Sequence, residues 1–85
     1  MTPEHCRAAR GWLGWTQAEL AAAANVSLST VRDFESGRRV PMPNNLTAMR
    51  SALEAMGVGF VYVNEGDETR PCGITYAAPK PETAH

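Results

Sequence analysis

The fold of this 85-residue chain is decided by residues 15–37, WTQAELAAAANVSLSTVRDFESG. Thr16 is a good helix N-cap, and Glu19 three positions later completes a capping box, which predicts that a helix begins after Thr16. Ser27 can cap a second helix in the same way, and Asn25 suits the turn between them because asparagine tolerates a positive φ. The stretch therefore predicts two short helices joined by a tight turn.

Two more helices are predicted on either side of this stretch. The first runs from Pro3 to about Leu13, because Thr2 is a good N-cap and proline suits the first helical position. The last is expected to begin with Asn44 or Asn45 as its cap. It carries an apolar stripe at spacings of three and four residues, consisting of Leu46, Met49, Leu53 and Met56. Such a stripe indicates core packing rather than a cofactor site.

Beyond Gly57 the patterning changes from helical to extended. Residues 58–63, VGFVYV, are β-branched and aromatic and predict a strand, and residues 73–76 predict a returning one. An isolated hairpin is marginal in water and leaves its edges open, so we expect it to pack on the helices and to pair with a second copy. The side chains expected at this homodimer contact are Val58, Phe60, Val61, Tyr62 and Val63.

The sequence thus predicts a mainly α chain with one small core, in which Trp12 and Trp15 are packing residues. Its predicted parts are a compact four-helix domain at 1–57, a β extension for dimerisation at 58–77 and a disordered tail at 78–85. No apolar run reaches the length of a membrane span, and no signal-peptide pattern opens the chain. We therefore expect a cytoplasmic protein with no membrane partner.

The residues present do not indicate an enzyme. Cys6 and Cys72 lack metal-ligand spacing and are expected to be free thiols. The two histidines stand near opposite ends of the chain, and neither a nucleophile–histidine constellation nor a glycine-rich phosphate loop occurs. The sequence therefore predicts no catalytic site, no metal and no cofactor.

The charge is unevenly distributed, although the formal net charge is only −1. Residues 1–50 contain six arginines and four acidic side chains, whereas residues 51–85 contain two basic and five acidic ones. The first part is mildly basic, which favours contact with a polyanion and a marked salt dependence of that contact.

A set of residues at fixed spacing, without gaps, resembles the Cro/C1-type, or XRE, family of phage repressors. The set comprises Arg10, Gly14, Thr16-Gln17-Ala18-Glu19-Leu20-Ala21, Val26, Ser27, Val31, Phe34, Glu35, Gly37 and Pro41. The resemblance covers roughly residues 5–57, about two thirds of the chain. It implies a phage-repressor-like helical domain that binds double-stranded DNA, regulates transcription and usually acts as a dimer on a palindromic operator.

The second helix of the central unit, predicted at 27–36, is the one expected to enter the major groove. Helix geometry turns Val31 and Phe34 inward and leaves the other side of the helix for DNA. Together with the resemblance, this predicts DNA contacts from Gln17, Ser27, Leu28, Ser29, Thr30, Arg32, Asp33, Arg38 and Arg39.

The outward side chains differ in what they can read. Arg32 is the only one able to hold a guanine with two hydrogen bonds, although it can instead pair with Asp33 or reach a phosphate. Asp33 can accept from a cytosine amino group, and Leu28 can contact a thymine methyl. Ser29 and Thr30 are short and discriminate little between bases.

The resemblance assigns further residues to positioning. It implies that Gln17 contacts a phosphate, the alternative being a solvated helix start. It places Arg38 and Arg39 in a loop along the DNA backbone, the alternative being an ordinary solvated loop. It also implies a buried ion pair between Arg10 and Glu35 that ties the first helix to the end of the recognition helix.

A second interpretation keeps the fold and changes the partner. The low net charge, Leu28 and Asp33 also fit a protein-binding module with weak DNA contact, such as an antirepressor or an antitoxin. The acidic hairpin would then hold a regulatory protein partner.

Overall fold

The computed structural model describes residues 1–77, which form four helices followed by a β-hairpin, as the sequence predicts. The elements are α1 (Pro3–Leu13), α2 (Gln17–Ala24), α3 (Leu28–Glu35), α4 (Pro43–Ala55), β1 (Val58–Glu65) and β2 (Glu68–Tyr76). The tail predicted at 78–85 lies outside the described residues.

The predicted start signals of the first three helices are confirmed. Thr16 Oγ1 accepts a 3.0 Å hydrogen bond from the Glu19 amide, while the Thr16 amide donates to Glu19 Oε1 at 2.8 Å. Ser27 Oγ accepts from the Thr30 amide at 3.1 Å, and Thr2 caps α1. Asn25 adopts φ 58°, which lets α2 end and the chain turn towards α3.

The predicted cap of α4 is wrong. Met42 is the N-cap, with no side-chain hydrogen bond, and Asn44 and Asn45 lie in the first turn of the helix. The reason is Pro43, whose fixed φ is already helical and whose missing N–H needs no capping partner. The helix therefore begins at Pro43, before either asparagine.

The core lies where the four helices and β1 meet. Its fully buried large side chains are Leu20, Met49, Leu53, Val31 and Cys6. Met49 and Leu53 belong to the predicted α4 stripe, and Leu46 packs against the core, whereas Met56 is the C-cap of the helix. Cys6 and Cys72 are both free thiols, as expected.

The two tryptophans behave differently. Trp15 packs against the core, as predicted. The same expectation is wrong for Trp12, whose side chain is 63% exposed. Trp12 lies against Tyr76 of β2, with the ring centroids 5.6 Å apart, and the rest of its ring faces solvent. Its neighbours Gly11 and Gly14 offer no side chain that could enclose it.

The hairpin is longer than predicted. β2 begins at Glu68, so the loop shrinks to two residues, and Gly66 adopts the positive φ of 62° that glycine favours in such a turn. The ladder shifts register because Cys72 is an extra residue opposite the Val61/Tyr62 step. Pro71 and this bulge break the strand pattern of residues 68–72, which is why the sequence predicts only the end of β2.

The hairpin is attached to the helices at its base. Val58 is 3% exposed and belongs to the core of its own chain, so its side chain is not available to a partner. His5 of α1 is 2% exposed and fits between the rings of Phe60 and Tyr62, with centroid distances of 5.3 and 4.9 Å. The His5 Nδ1 accepts from the Thr2 amide at 3.2 Å, so Nε2 carries the proton and donates to the Val61 carbonyl at 3.1 Å.

Candidate nucleic-acid interface

The outward side of α3 is a row of exposed, mostly polar side chains. Val31 and Phe34 are buried, and helix geometry therefore turns the remaining positions towards solvent. Ser27, Leu28, Ser29 and Arg32 are exposed, and Thr30 and Asp33 are half-buried. Leu28 is 38% exposed, so part of its side chain is accessible on the outward side of the helix.

Three hydroxyl groups form a cluster at the start of this helix. Ser27 Oγ lies 2.8 Å from Thr30 Oγ1 and 3.1 Å from Ser29 Oγ. Since Ser27 Oγ also caps the Thr30 amide, it is largely committed to the helix itself. Any base or phosphate that these hydroxyls contact has to exchange with bonds already formed.

Three arginines surround the exposed side of α3. Arg32, Arg38 and Arg39 are exposed, and none of them forms a salt bridge with a carboxylate of residues 1–77. Within these residues Arg32 does not pair with its neighbour Asp33, so its guanidinium remains available to a ligand. The Asp33 carbonyl accepts from the Arg38 amide at 2.9 Å and from the Arg39 amide at 3.3 Å, which holds the loop arginines close to the end of α3.

The C-terminal end of α3 is attached to α1 through the buried carboxylate of Glu35. Arg10 donates to Glu35 through Nε at 2.7 Å and through a terminal nitrogen at 2.7 Å, a two-pronged salt bridge between α1 and α3. The Cys6 thiol donates to the same carboxylate at 3.1 Å. Arg10 also donates to the Trp15 carbonyl at 2.8 Å, and Arg7 donates to the Glu35 carbonyl.

Gln17 joins the same network from the first turn of α2. Its side-chain nitrogen donates to Glu35 Oε1 at 3.0 Å, so α1, α2 and α3 all meet at one carboxylate. One of the two amide protons is thereby used, and the amide oxygen and the other proton remain. The half-exposed Gln17 thus has its amide oriented by the Glu35 carboxylate.

The electrostatics of this network favour the ionised carboxylate. Burial by itself would raise the pKa of Glu35, but hydrogen bonds from Arg10, Gln17 and Cys6 outweigh it and hold that pKa below its ordinary value. Burial and the bond to Glu35 raise the pKa of the Cys6 thiol, so it stays protonated and donates. The hydrogen bond to Glu35 raises the pKa of Arg10, which stays cationic.

A cleft adjoins the exposed side of α3. It measures about 210 Å³ and lies between α3 and the loop that leads to α4. Its lining consists of Ser29, Thr30, Asp33, Arg39, Val40, Pro41, Met42 and Asn45. Within residues 1–77 no three histidine, cysteine or acidic side chains are grouped in a way that could hold a metal ion.

A comparison of the sequence with known protein families agrees with this arrangement of helices. A sequence model of the helix-turn-helix family, of the Cro/C1 type, matches residues 7–63, which is about two thirds of the chain and includes α2 and α3. The chain belongs to the helix-turn-helix family. It is a DNA-binding regulator of transcription, in a family that is typically non-enzymatic.

No curated protein matches the chain. None of the helices in the described part is long and apolar enough to cross a membrane.

Several structural roles have no signature in the amino-acid sequence. The thiol of Cys6 and the ring of His5 are used as buried hydrogen-bonding groups, although neither stands in a recognisable motif. Val40 and Met42 are apolar and yet 81% and 73% exposed. Their positions beside Pro41 and Pro43 indicate a loop rather than a helix, and this is the sequence feature that favours their exposure.

Proposed function

We propose that this helix-turn-helix protein recognises a specific double-stranded DNA sequence by placing α3 in the major groove, and that it does so as a homodimer on a palindromic operator. The observation that carries the proposal is the two-sided character of α3. Its inner side is fixed by the buried Val31, Phe34 and Glu35, while Arg32 on the outer side has no salt-bridge partner among residues 1–77. A rigid helix with a free guanidinium is suited to reading base edges.

The outer side chains divide into base-reading and positioning groups. Arg32 supplies the strongest discrimination by donating to guanine O6 and N7, and Leu28 adds an apolar contact to a thymine methyl. Asp33 accepts from a cytosine amino group, and Ser29 and Thr30 contribute weaker contacts. Ser27 contributes mainly through its cap, because its hydroxyl is already bonded to Thr30.

Phosphate contacts then set the position of the helix along the duplex. Arg38 and Arg39 are exposed and follow directly on α3, so they reach the backbone that borders the groove. Gln17 offers its remaining amide proton to a phosphate at the start of α2, with the orientation imposed by Glu35. These contacts are independent of sequence and weaken as salt is added.

The dimer is proposed to form through the hairpin. Among residues 1–77 the sheet has only two strands, so each strand has one open edge. Pro71 and the bulge at Cys72 interrupt the β2 edge, which leaves the β1 edge better suited to pairing with a second copy. Tyr62 is exposed there, Val61 and Val63 are half-buried, and Phe60 lies against His5.

A two-fold axis suits these surfaces. It brings two identical β1 edges together in an antiparallel pair, and the acidic Glu65 at one end then faces the start of the partner strand rather than its own copy. The same axis presents two α3 helices to successive major grooves, about 34 Å apart. A single α3 has only one side chain, Arg32, that discriminates strongly between bases, so one copy would bind DNA weakly. A dimer doubles the number of base contacts.

Selection from a random duplex library tests the proposal. We expect the protein to enrich a palindromic sequence with a guanine in each half-site, and Arg32→Ala to lose about 1–3 kcal/mol of the preference for it per half-site. Arg50→Ala is the matched control, since Arg50 is exposed on α4 and already paired with Glu54 at 2.9 Å. Enrichment of no sequence, with binding at random-duplex level only, would favour the protein-binding module instead.

A further inference from the structure

The exposed apolar side chains fall into two groups. Trp12, Tyr62 and Tyr76 lie on α1 and the hairpin, whereas Leu28, Val40 and Met42 lie on α3 and the loop that follows it. Val40 and Met42 are the most exposed of the six, at 81% and 73%. Leu28 has a place in base reading, but the proposed function gives no role to Val40 or Met42.

The loop carrying these two residues faces the recognition helix. Val40 and Met42 line the cleft of about 210 Å³ whose opposite wall contains Ser29 and Asp33 of α3. They also follow Arg39, which lines the same cleft. Two apolar side chains and a cation therefore share one wall, beside the helix surface assigned to the major groove.

The backbone of the loop that carries Val40 and Met42 is conformationally restricted, which favours binding of a ligand to these exposed side chains. Val40 precedes Pro41 and Met42 precedes Pro43, and a residue before proline is restricted to extended conformations. Met42 has φ −59° and ψ 148°, in agreement with this restriction. The side chains are thus presented by a backbone that loses little conformational entropy when a ligand covers them.

We propose that Val40 and Met42 pack against the deoxyribose carbons of the DNA strand that borders the groove occupied by α3. The major groove is about 12 Å wide and an α-helix with its side chains measures about 10–12 Å, so a protein wall beside the helix meets the bordering sugar–phosphate strand. The phosphates of that strand suit Arg38 and Arg39, and the sugars between them offer apolar surface. This inference rests on the proposed placement of α3.

The contact is distinguished from an ionic one by its salt dependence. The experiment compares the full-length chain with Val40→Thr/Met42→Gln, a near-isosteric polar pair, by fluorescence anisotropy on the selected duplex and on a scrambled duplex at several salt concentrations. We expect affinity to fall about tenfold on both duplexes, from the apolar area lost, with an unchanged slope of log K against log salt. Trp12→Ser is the control, since Trp12 is also a largely exposed apolar residue, at 63%, but lies beside β2.

Each alternative result has a separate meaning. Wild-type affinity in the double variant would overturn the inference, as would a loss accompanied by a flatter salt slope, which would show displaced phosphate contacts instead. Val40→Ala and Met42→Ala, which add no polar group, should each produce about a threefold loss, and their helicity by circular dichroism reports that the fold is intact. If the wild-type chain binds no duplex at any salt concentration, the proposed function itself fails.

Discussion

Neutralising Glu35 is expected to be the most damaging conservative substitution in this chain. The Glu35 side chain is 2% exposed and accepts from Arg10, Gln17 and Cys6, and Arg10 itself is only 19% exposed. Glu35→Gln keeps the shape but leaves a largely buried guanidinium without its counter-charge. Breaking a buried pair in this way costs roughly 3–5 kcal/mol, and because Arg10 keeps some solvent access, the expected loss is about 3 kcal/mol.

Such a loss is large for a domain of this size. It corresponds to a fall in Tm of about 12–24 °C, and urea unfolding followed by circular dichroism measures it directly. Arg10→Ala should be similarly damaging, and the double variant should lose clearly less than the sum, because each single change leaves the other charge buried. Glu54→Gln, in the exposed Arg50–Glu54 pair, is the matched control and should change stability far less.

The pH dependence gives the same prediction an independent check. The pKa of Glu35 is lower in the folded state than its ordinary value of 4.5, so its ionisation stabilises the fold above that pH. This contribution disappears as the pH falls through the folded-state pKa, and the wild type and Glu35→Gln should then converge in stability. Strict additivity of the two single variants, or a difference that stays constant into acid, would refute the reasoning.

Three further predictions concern the DNA face and the hairpin. Arg38→Ala combined with Arg39→Ala should weaken binding to all duplexes and reduce the salt slope by about 0.9 per lost phosphate contact, and an unchanged slope would remove both residues from the interface. Val63→Lys should convert the proposed dimer to monomer in sedimentation, because the charged side chain on the edge strand would lose hydration when a second β1 pairs with it, and an unaltered dimer would move the interface elsewhere. Gly73→Ala, whose added Cβ meets nothing within 4 Å, should stabilise the fold by about 0.5–1 kcal/mol in urea unfolding, whereas Gly59→Ala should gain less, since its Cβ would lie 2.5 Å from the Oγ1 of Thr75 and force that side chain to move.

Local signals made the helical part of the fold predictable. Thr16 with Glu19, and Ser27 with its following amides, act within one turn of the chain, so their hydrogen bonds can be predicted from spacing alone. The stop at Asn25 follows from its tolerance of a positive φ. Where two local signals competed at the start of α4, the proline decided the boundary and the asparagines did not.

Contacts between distant segments were not predictable in the same way. His5 and Val61 are 56 positions apart, and nothing in the composition around His5 marks it as the residue that attaches the hairpin to α1. Cys6 donates to a carboxylate 29 positions away, a use of a thiol that has no spacing signature. The sequence also does not predict the length of β2, because Pro71 and the bulge at Cys72 interrupt the strand pattern, although both are tolerated in an edge strand.

The placement of α3 in the major groove is tested most directly by methylation interference on the selected duplex. A methyl group on guanine N7 blocks the atom that Arg32 is proposed to contact, and it lies in the major groove. We expect interference at one guanine in each half-site, arranged symmetrically about the centre, and its disappearance for Arg32→Ala. An identical interference pattern for the wild type and Arg32→Ala, or interference confined to minor-groove positions, would contradict the account.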